Sequence, residues 1–144
     1  MVIRQFTSEY SWLSNFYPCS IYYNKKYYSS VEAAFQAQKC INDEEQNLFI
    51  NLDAGKAKRL GKKVKLRPDW ETVKEQIMYD LLLIKFINND ELKTKLLATG
   101  DDYIIEGNNW GDQYWGVCPP ESEPGKNGLN RLGELLMLVR SSIR

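Results

Sequence analysis

The chain has no histidine. That one absence excludes histidine-based catalytic triads, Cys–His nucleophile pairs and the commonest zinc sites. Any proton transfer must fall to Asp, Glu, Lys, Tyr or Cys. Cysteine is scarce: Cys19, Cys40 and Cys118 are far apart and odd in number. They lack zinc-site spacing and suit a reducing cytosol better than a disulfide framework. Net charge is also missing, with 19 basic residues against 19 acidic ones. No global field therefore draws the protein to nucleic acid or membrane. No apolar run is long enough to span a bilayer. The opening Met-Val-Ile-Arg-Gln-Phe does not read as a signal peptide. These absences predict a cytoplasmic protein with no membrane partner.

What is present suits one globular domain over residues 1–144, with 43% hydrophobic and 26% charged residues. The expected fold is mainly α, a compact helical domain with a small β element near the N-terminus. Val2 to Phe6 predicts a strand, and 11–18 a loop. Ser20 to Tyr23 and Lys26 to Tyr28 predict a hairpin turning at Asn24-Lys25. A helix is expected from Ser29 to about Ile41, with a capping box between Ser29 and Glu32. Further helices are expected at 43–50, at 54–60 capped by Asp53 and ended by Gly61, and at 70–88. The last of these carries an apolar stripe at Trp70, Val73, Ile77, Leu81, Ile84 and Phe86. Asp90 is expected to cap a helix over 91–98. A strand at 103–106 and a final helix at 129–141 complete the reading.

Four features can carry chemistry. Glu106 to Gly116 packs Asn108, Asn109, Trp110, Asp112, Tyr114 and Trp115 among three glycines. Such a loop can turn flat aromatic faces and hydroxyl-binding groups toward one point. It can equally be a turn whose tryptophans plug the core. The first long helix aligns Glu32, Gln36 and Lys39 on one face. Glu32 can instead be a cap and Lys39 a solvated cation in the last turn. Residues 56–67 hold seven Lys or Arg and no acid, leaving twelve basic against nineteen acidic residues elsewhere. Such a strip is a solvated surface or a phosphate site, where Arg59 and Arg67 suit bidentate contacts better than lysines do. Residues 125–130 precede the last helix, whose N–H groups can hold an anion or simply be capped.

Several segments together resemble the YbiA-like, or NADAR, family. They are Ser14-Asn-Phe-Tyr-Pro18, Ser30-Val-Glu-x-x-Phe-Gln-Ala-Gln-Lys39, Ala57-Lys-Arg-Leu-Gly61 and Lys65-Leu-Arg-Pro-Asp-Trp70. Lys85-Phe86, the Glu106–Gly116 loop and Asn130-x-Leu-Gly-x-x-Leu-Met-x-x-Arg140 continue the match in order. One departure is Ala33, where the family often has histidine. The resemblance implies a mainly helical fold and metal-independent N-glycosidase chemistry without a cofactor. It implies cleavage between a ribose C1 and a nitrogen. The implied substrates are phosphorylated ribosylamino-pyrimidines of riboflavin synthesis, or ADP-ribose on guanine, which makes ADP-ribosylated nucleic acid a possible partner.

That chemistry needs a carboxylate beside the cationic sugar and either a proton for the leaving nitrogen or a lysine that attacks C1. The expected nucleophile is Lys39, assisted by Glu32, with Lys56 as its rival. Glu106 and Asp112 are the further carboxylates expected to shape the site. Asn15, Phe16, Gln36, Asn109, Trp110 and Trp115 are expected to bind sugar and base. Lys56, Arg59 and Arg67 are expected to bind phosphate. Two other readings use the same residues: a non-catalytic binder of ADP-ribose or nucleotide, and a nucleic-acid-binding domain built on 56–67.

Overall fold

Local signals in the chain set most of the element boundaries in the computed structural model, which describes residues 1–144. Four short strands and six α-helices follow in the order β1 (Val2–Ile3), β2 (Ile21–Tyr23), β3 (Lys26–Tyr28), α1 (Val31–Ala37), α2 (Asp43–Asn47), α3 (Ala54–Gly61), α4 (Trp70–Ile87), α5 (Asp90–Ala98), β4 (Tyr103–Ile104) and α6 (Arg131–Ile143). A 3-10 helix covers Ser8–Leu13 and takes the first three residues of the loop expected at 11–18. No helix is long and apolar enough to cross a membrane. Two compact units are distinguished, one of Asn15–Asn88 and one of Met1–Ser14 with Asn89–Arg144.

In the 15–88 unit, β2 and β3 form the expected antiparallel hairpin, pairing Ile21 with Tyr28 and Tyr23 with Lys26. Its turn has no glycine, yet Asn24 and Lys25 both take positive φ, at 51° and 67°. Two successive left-handed residues match the twist of the strands they join. The helix cap falls one residue later than the sequence suggested. The Ser30 side chain accepts from the Ala33 N–H at 3.0 Å, whereas the Ser29 hydroxyl donates to the Leu52 carbonyl. Glu32 is therefore not the far side of a capping box. The α1 helix also stops at Ala37 rather than near Ile41. Gln38, Lys39 and Cys40 continue as a tightened turn, each N–H bonded three residues back.

Asp53 caps α3 through the Lys56 N–H at 2.8 Å, as expected. Gly61 is the last residue of that helix rather than the residue after it, and Lys62 is the C-cap. The apolar face of α4 is Trp70, Ile77, Met78, Leu81, Leu82 and Phe86, with the ring of Phe35 4.9 Å from that of Trp70. Val73 and Ile84, expected on that stripe, are only half-buried. Lys85 takes a place in the buried face instead.

In the other unit, β1 and β4 pair in parallel, Val2 with Tyr103 and Ile3 with Ile104. Both strands are shorter than expected, because the pairing lasts only two residues. Asn89, rather than Asp90, caps α5 by accepting from the Leu92 N–H. The N–H groups of Leu129, Asn130, Arg131 and Leu132 donate to carbonyls of Gln113, Gly116, Tyr114 and Trp115. The start of α6 is thus satisfied by the aromatic loop, which removes the anion site suggested for 125–130.

Candidate active site

The 15–88 unit gathers Asn15, Phe16, Glu32, Gln36 and Lys39. Glu32 and Gln36 are buried on α1, at 8% and 6% exposure. The Gln36 Nε2 donates to Glu32 Oε2 at 2.7 Å. The Asn15 carbonyl accepts from the Glu32 N–H at 3.0 Å, which ties the segment before the hairpin to the first turn of α1. The Asn15 side chain is buried, and its Nδ2 lies 3.5 Å from Met78 Sδ. Its Oδ1 is buried with no hydrogen-bond partner. Phe16 stands exposed, with Lys58 Nζ 5.7 Å from its ring centroid, within cation–π range.

Lys39 is half-buried in the turn after α1. Burial pulls its amine below the ordinary lysine value, the Glu32 carboxylate pulls it partly back, and the Lys62 and Lys58 ammonium groups lower it further. A lysine in that setting is neutral more often than an exposed one, and the neutral amine is the nucleophile. Lys58 and Lys62 were not among the residues singled out in the sequence. Their signal was present, since both belong to the basic strip, but spacing alone does not say which lysines face Lys39.

The phosphate candidates separate. Lys56 and Arg59 are exposed on α3. Arg67 is bound within its own turn: it grips Asp69 at 2.6 and 3.2 Å and reaches the Gln38 carbonyl at 3.5 Å. Its backbone N–H also donates to the Lys39 carbonyl at 2.8 Å. Arg67 therefore braces the Lys39 turn, and its ion pair competes with any phosphate.

The aromatic loop lies in the other unit and has its own logic. Asn108, 2% exposed, is its centre. Its Nδ2 donates to Glu106 Oε2 at 3.1 Å and to the Asp112 carbonyl at 2.8 Å. Its Oδ1 accepts from the N–H groups of Trp110 and Asp112. Asp112 in turn accepts from the Tyr114 and Trp115 N–H groups, at 3.1 and 2.9 Å, through one carboxylate oxygen. Gly116 is required where it stands, because a Cβ there would fall on the Glu106 carboxylate and carbonyl. Trp110 is 62% exposed and plugs no core. Asn109 is exposed beside it. Trp115 is half-buried, edge-on to Tyr114 at 4.9 Å. Asn108 was missed as a single residue, because an asparagine's hydrogen-bonding role depends on which backbone groups the fold brings to it.

No group of three or more Cys, Asp or Glu side chains is arranged to hold a metal ion.

Comparison with known proteins places this arrangement. The fold matches the NMR structure of the Escherichia coli protein YbiA with a TM-score of 0.82 and 34% identity, covering 99% of this chain and 83% of that one. A model described as the NADAR domain matches residues 3–144, spanning both units. The chain belongs to the NADAR family. A Nostoc punctiforme protein named N-glycosidase Npun_R5314 is 36% identical over 141 residues, covering 94% of this chain and 86% of the relative. The Escherichia coli protein named N-glycosidase YbiA is 35% identical over 140 residues, with 95% and 84% covered. A Vibrio vulnificus protein named riboflavin biosynthesis protein VVA0006 is 34% identical, but this chain corresponds to only 36% of its length.

Proposed function

We propose that this protein is an N-glycosidase that cleaves the C1–N bond of a ribosylated, phosphorylated nitrogen compound without a metal. Lys39 is the nucleophile and Glu32 the carboxylate that supports it. The observation that carries this reading is the pairing of a half-buried, depressed lysine with a buried carboxylate on one turn-and-helix segment. The names of the relatives support the reaction class, and the riboflavin-biosynthesis name among them favours a ribosylamino-pyrimidine phosphate over ADP-ribosyl-guanine.

The step balances as follows. The neutral Lys39 Nζ attacks C1, the C1–N bond breaks, and the leaving nitrogen takes a proton. One Nζ proton goes to the leaving nitrogen and the other to the ring oxygen as the ring opens, leaving an imine between Nζ and C1 that is protonated to an iminium before hydrolysis. Water then adds to the imine and releases the free sugar phosphate and the free amine. Glu32 stabilises positive charge on the sugar in the first step and on the iminium in the second. Lys56 is exposed on α3 and does not share the segment that carries Glu32, so it is the weaker candidate for nucleophile.

Borohydride added during turnover of a phosphorylated ribosylamino-pyrimidine should trap a stable adduct with the mass of the sugar phosphate, and peptide mapping should place it on Lys39. Lys39→Ala should abolish trapping and turnover, and Lys39→Arg should fail too, since a guanidinium stays protonated. The same assay in EDTA should run at full rate. An adduct on Lys56 would move the nucleophile. A normal rate in Lys39→Ala with no adduct would leave direct attack by water. An intact C1–N bond after long incubation with either substrate class would leave a binding module.

A further inference from the structure

We infer that Gln36 is a positioning residue, whose amide holds the Glu32 carboxylate in one orientation, and that Gly61 is the recess in α3 that lets it do so. The inference rests on the reading of Glu32 as the supporting carboxylate. It gives Gln36 a different task from contact with sugar or base.

Both residues are nearly sealed from solvent. The Gln36 Nε2 to Glu32 Oε2 bond, at 2.7 Å, spans one helical turn and is charge-assisted. The other end of the amide is poorly served. Gln36 Oε1 is buried with no hydrogen-bond partner, and it lies where a Cβ of residue 61 would be. A buried acceptor without a partner destabilises the fold. Turning the amide over would be worse, because it would set an acceptor against the carboxylate oxygen. The carboxylate therefore dictates the amide's orientation.

Gly61 is a second local sacrifice. It is the last residue of α3, with helical backbone, and alanine would suit that position better. Its φ is not in the left-handed region, so no backbone requirement calls for glycine there. The space is what matters: any side chain at 61 would collide with the Gln36 amide. Neither the orphaned oxygen nor the glycine helps stability. Both are explained if the gain is a fixed Glu32 carboxylate. A residue kept only for packing at position 36 would be served better by leucine.

The test is steady-state kinetics on the full chain with a phosphorylated ribosylamino-pyrimidine. Gln36→Leu keeps the bulk and removes the donor. It should lower kcat about ten- to a hundredfold, the scale of a lost hydrogen bond to a charged group. KM should stay within about twofold, because the lost interaction serves the transition state rather than binding. The melting temperature should change little, because the bond lost to buried Glu32 is offset by the removal of the orphaned oxygen. Gln36→Glu keeps the shape but faces Glu32 with a second carboxylate, and should be at least as slow. Gly61→Ala should lose kcat and melt earlier. The double variant Gly61→Ala with Gln36→Ala should melt above Gly61→Ala yet remain slow, which separates the collision from the catalytic loss. Wild-type kcat in Gln36→Leu, or a loss confined to KM, would overturn the inference. Glu32→Gln is the arbiter: if it is inactive while Gln36→Leu is not, the inference alone falls. If Glu32→Gln turns over normally, the reading of Glu32 falls and takes this inference with it.

Discussion

Two lysines of the 15–88 unit have amines held below the ordinary value by burial, and their exposure separates their roles. Lys39 is half-buried and shares its surroundings with Glu32, Lys58 and Lys62. Lys85 is 2% exposed, its Nζ lies 5.6 Å from the Tyr17 ring centroid, and burial brings it to about 8, with the Cys19 thiol pulling upward. At 2% exposure, on the buried face of α4, Lys85 is read as part of the core. It has a consequence for stability. Its folded value lies below its unfolded value of 10.5, so the unfolded chain binds more protons between the two. Stability from this group therefore rises as pH climbs from about 8 toward 10.5, and is lowest below that window. The full effect is on the order of 3 kcal/mol. Cys19, Cys40 and Tyr28 work in the opposite sense, because burial raises each of them. The measurement is accordingly a difference. Urea unfolding of the wild type and Lys85→Met should converge as pH rises from 7 to 10, with the variant the more stable at pH 7. Parallel curves would mean that Lys85 keeps its charge in the fold.

At the scale of elements, what the sequence made legible was whatever depends on neighbours a few residues apart. The hairpin at Ile21–Tyr28, the Asp53 cap and the run of α4 all follow from local pattern. Errors of one residue, Ser29 for Ser30 and Asp90 for Asn89, arose where adjacent residues can both cap a helix. The parallel pair of β1 and β4 was illegible, because two-residue strands a hundred positions apart leave no periodic trace. Gly61 was read as a stop signal because glycine usually is one there, and only the packing of α1 on α3 shows the space it makes. For the candidate site, residue types were legible and their partners were not. Asp112 reads as a catalytic carboxylate, yet one of its oxygens already orders the Tyr114–Trp115 backbone. The aromatic loop should stand or fall on Asn108. Asn108→Ala removes a buried side chain that bonds part-buried groups of Glu106, Trp110 and Asp112, and should cost about 2–4 kcal/mol in chemical denaturation. Trp110→Ala, with a largely exposed ring, should stay within about 0.5 kcal/mol of wild type. Equal losses in the two variants would mean that the loop is held by its indole rather than by its asparagine.

For the whole molecule, the question is whether zero net charge hides a nucleic-acid surface. Seven basic residues in 56–67 are offset by an acidic excess elsewhere. Along that strip, Asp53 caps the helix start and Asp69 takes Arg67, so acids border the cations at both ends. Lys58 leans on Phe16, and Lys56 and Arg59 are left to solvent. A strip so bordered suits one phosphate group better than a polyanion. Binding that neutralises several phosphates of a duplex loses affinity with a log–log salt slope near −0.9 for each phosphate. Engagement of a single substrate phosphate should give a slope no steeper than about −1 to −2 by the same counterion argument. Between 50 and 200 mM salt, kcat/KM for a phosphorylated ribosylamino-pyrimidine should therefore fall by less than about twentyfold, with kcat nearly constant. Duplex DNA at the same concentrations should not compete. Lys56→Gln with Arg59→Gln should flatten the slope while leaving borohydride trapping on Lys39 intact, because phosphate binding and attack at C1 are separate tasks. A steep slope together with strong competition by DNA would favour a substrate carried on a nucleic acid, and with it the ADP-ribosyl-guanine class.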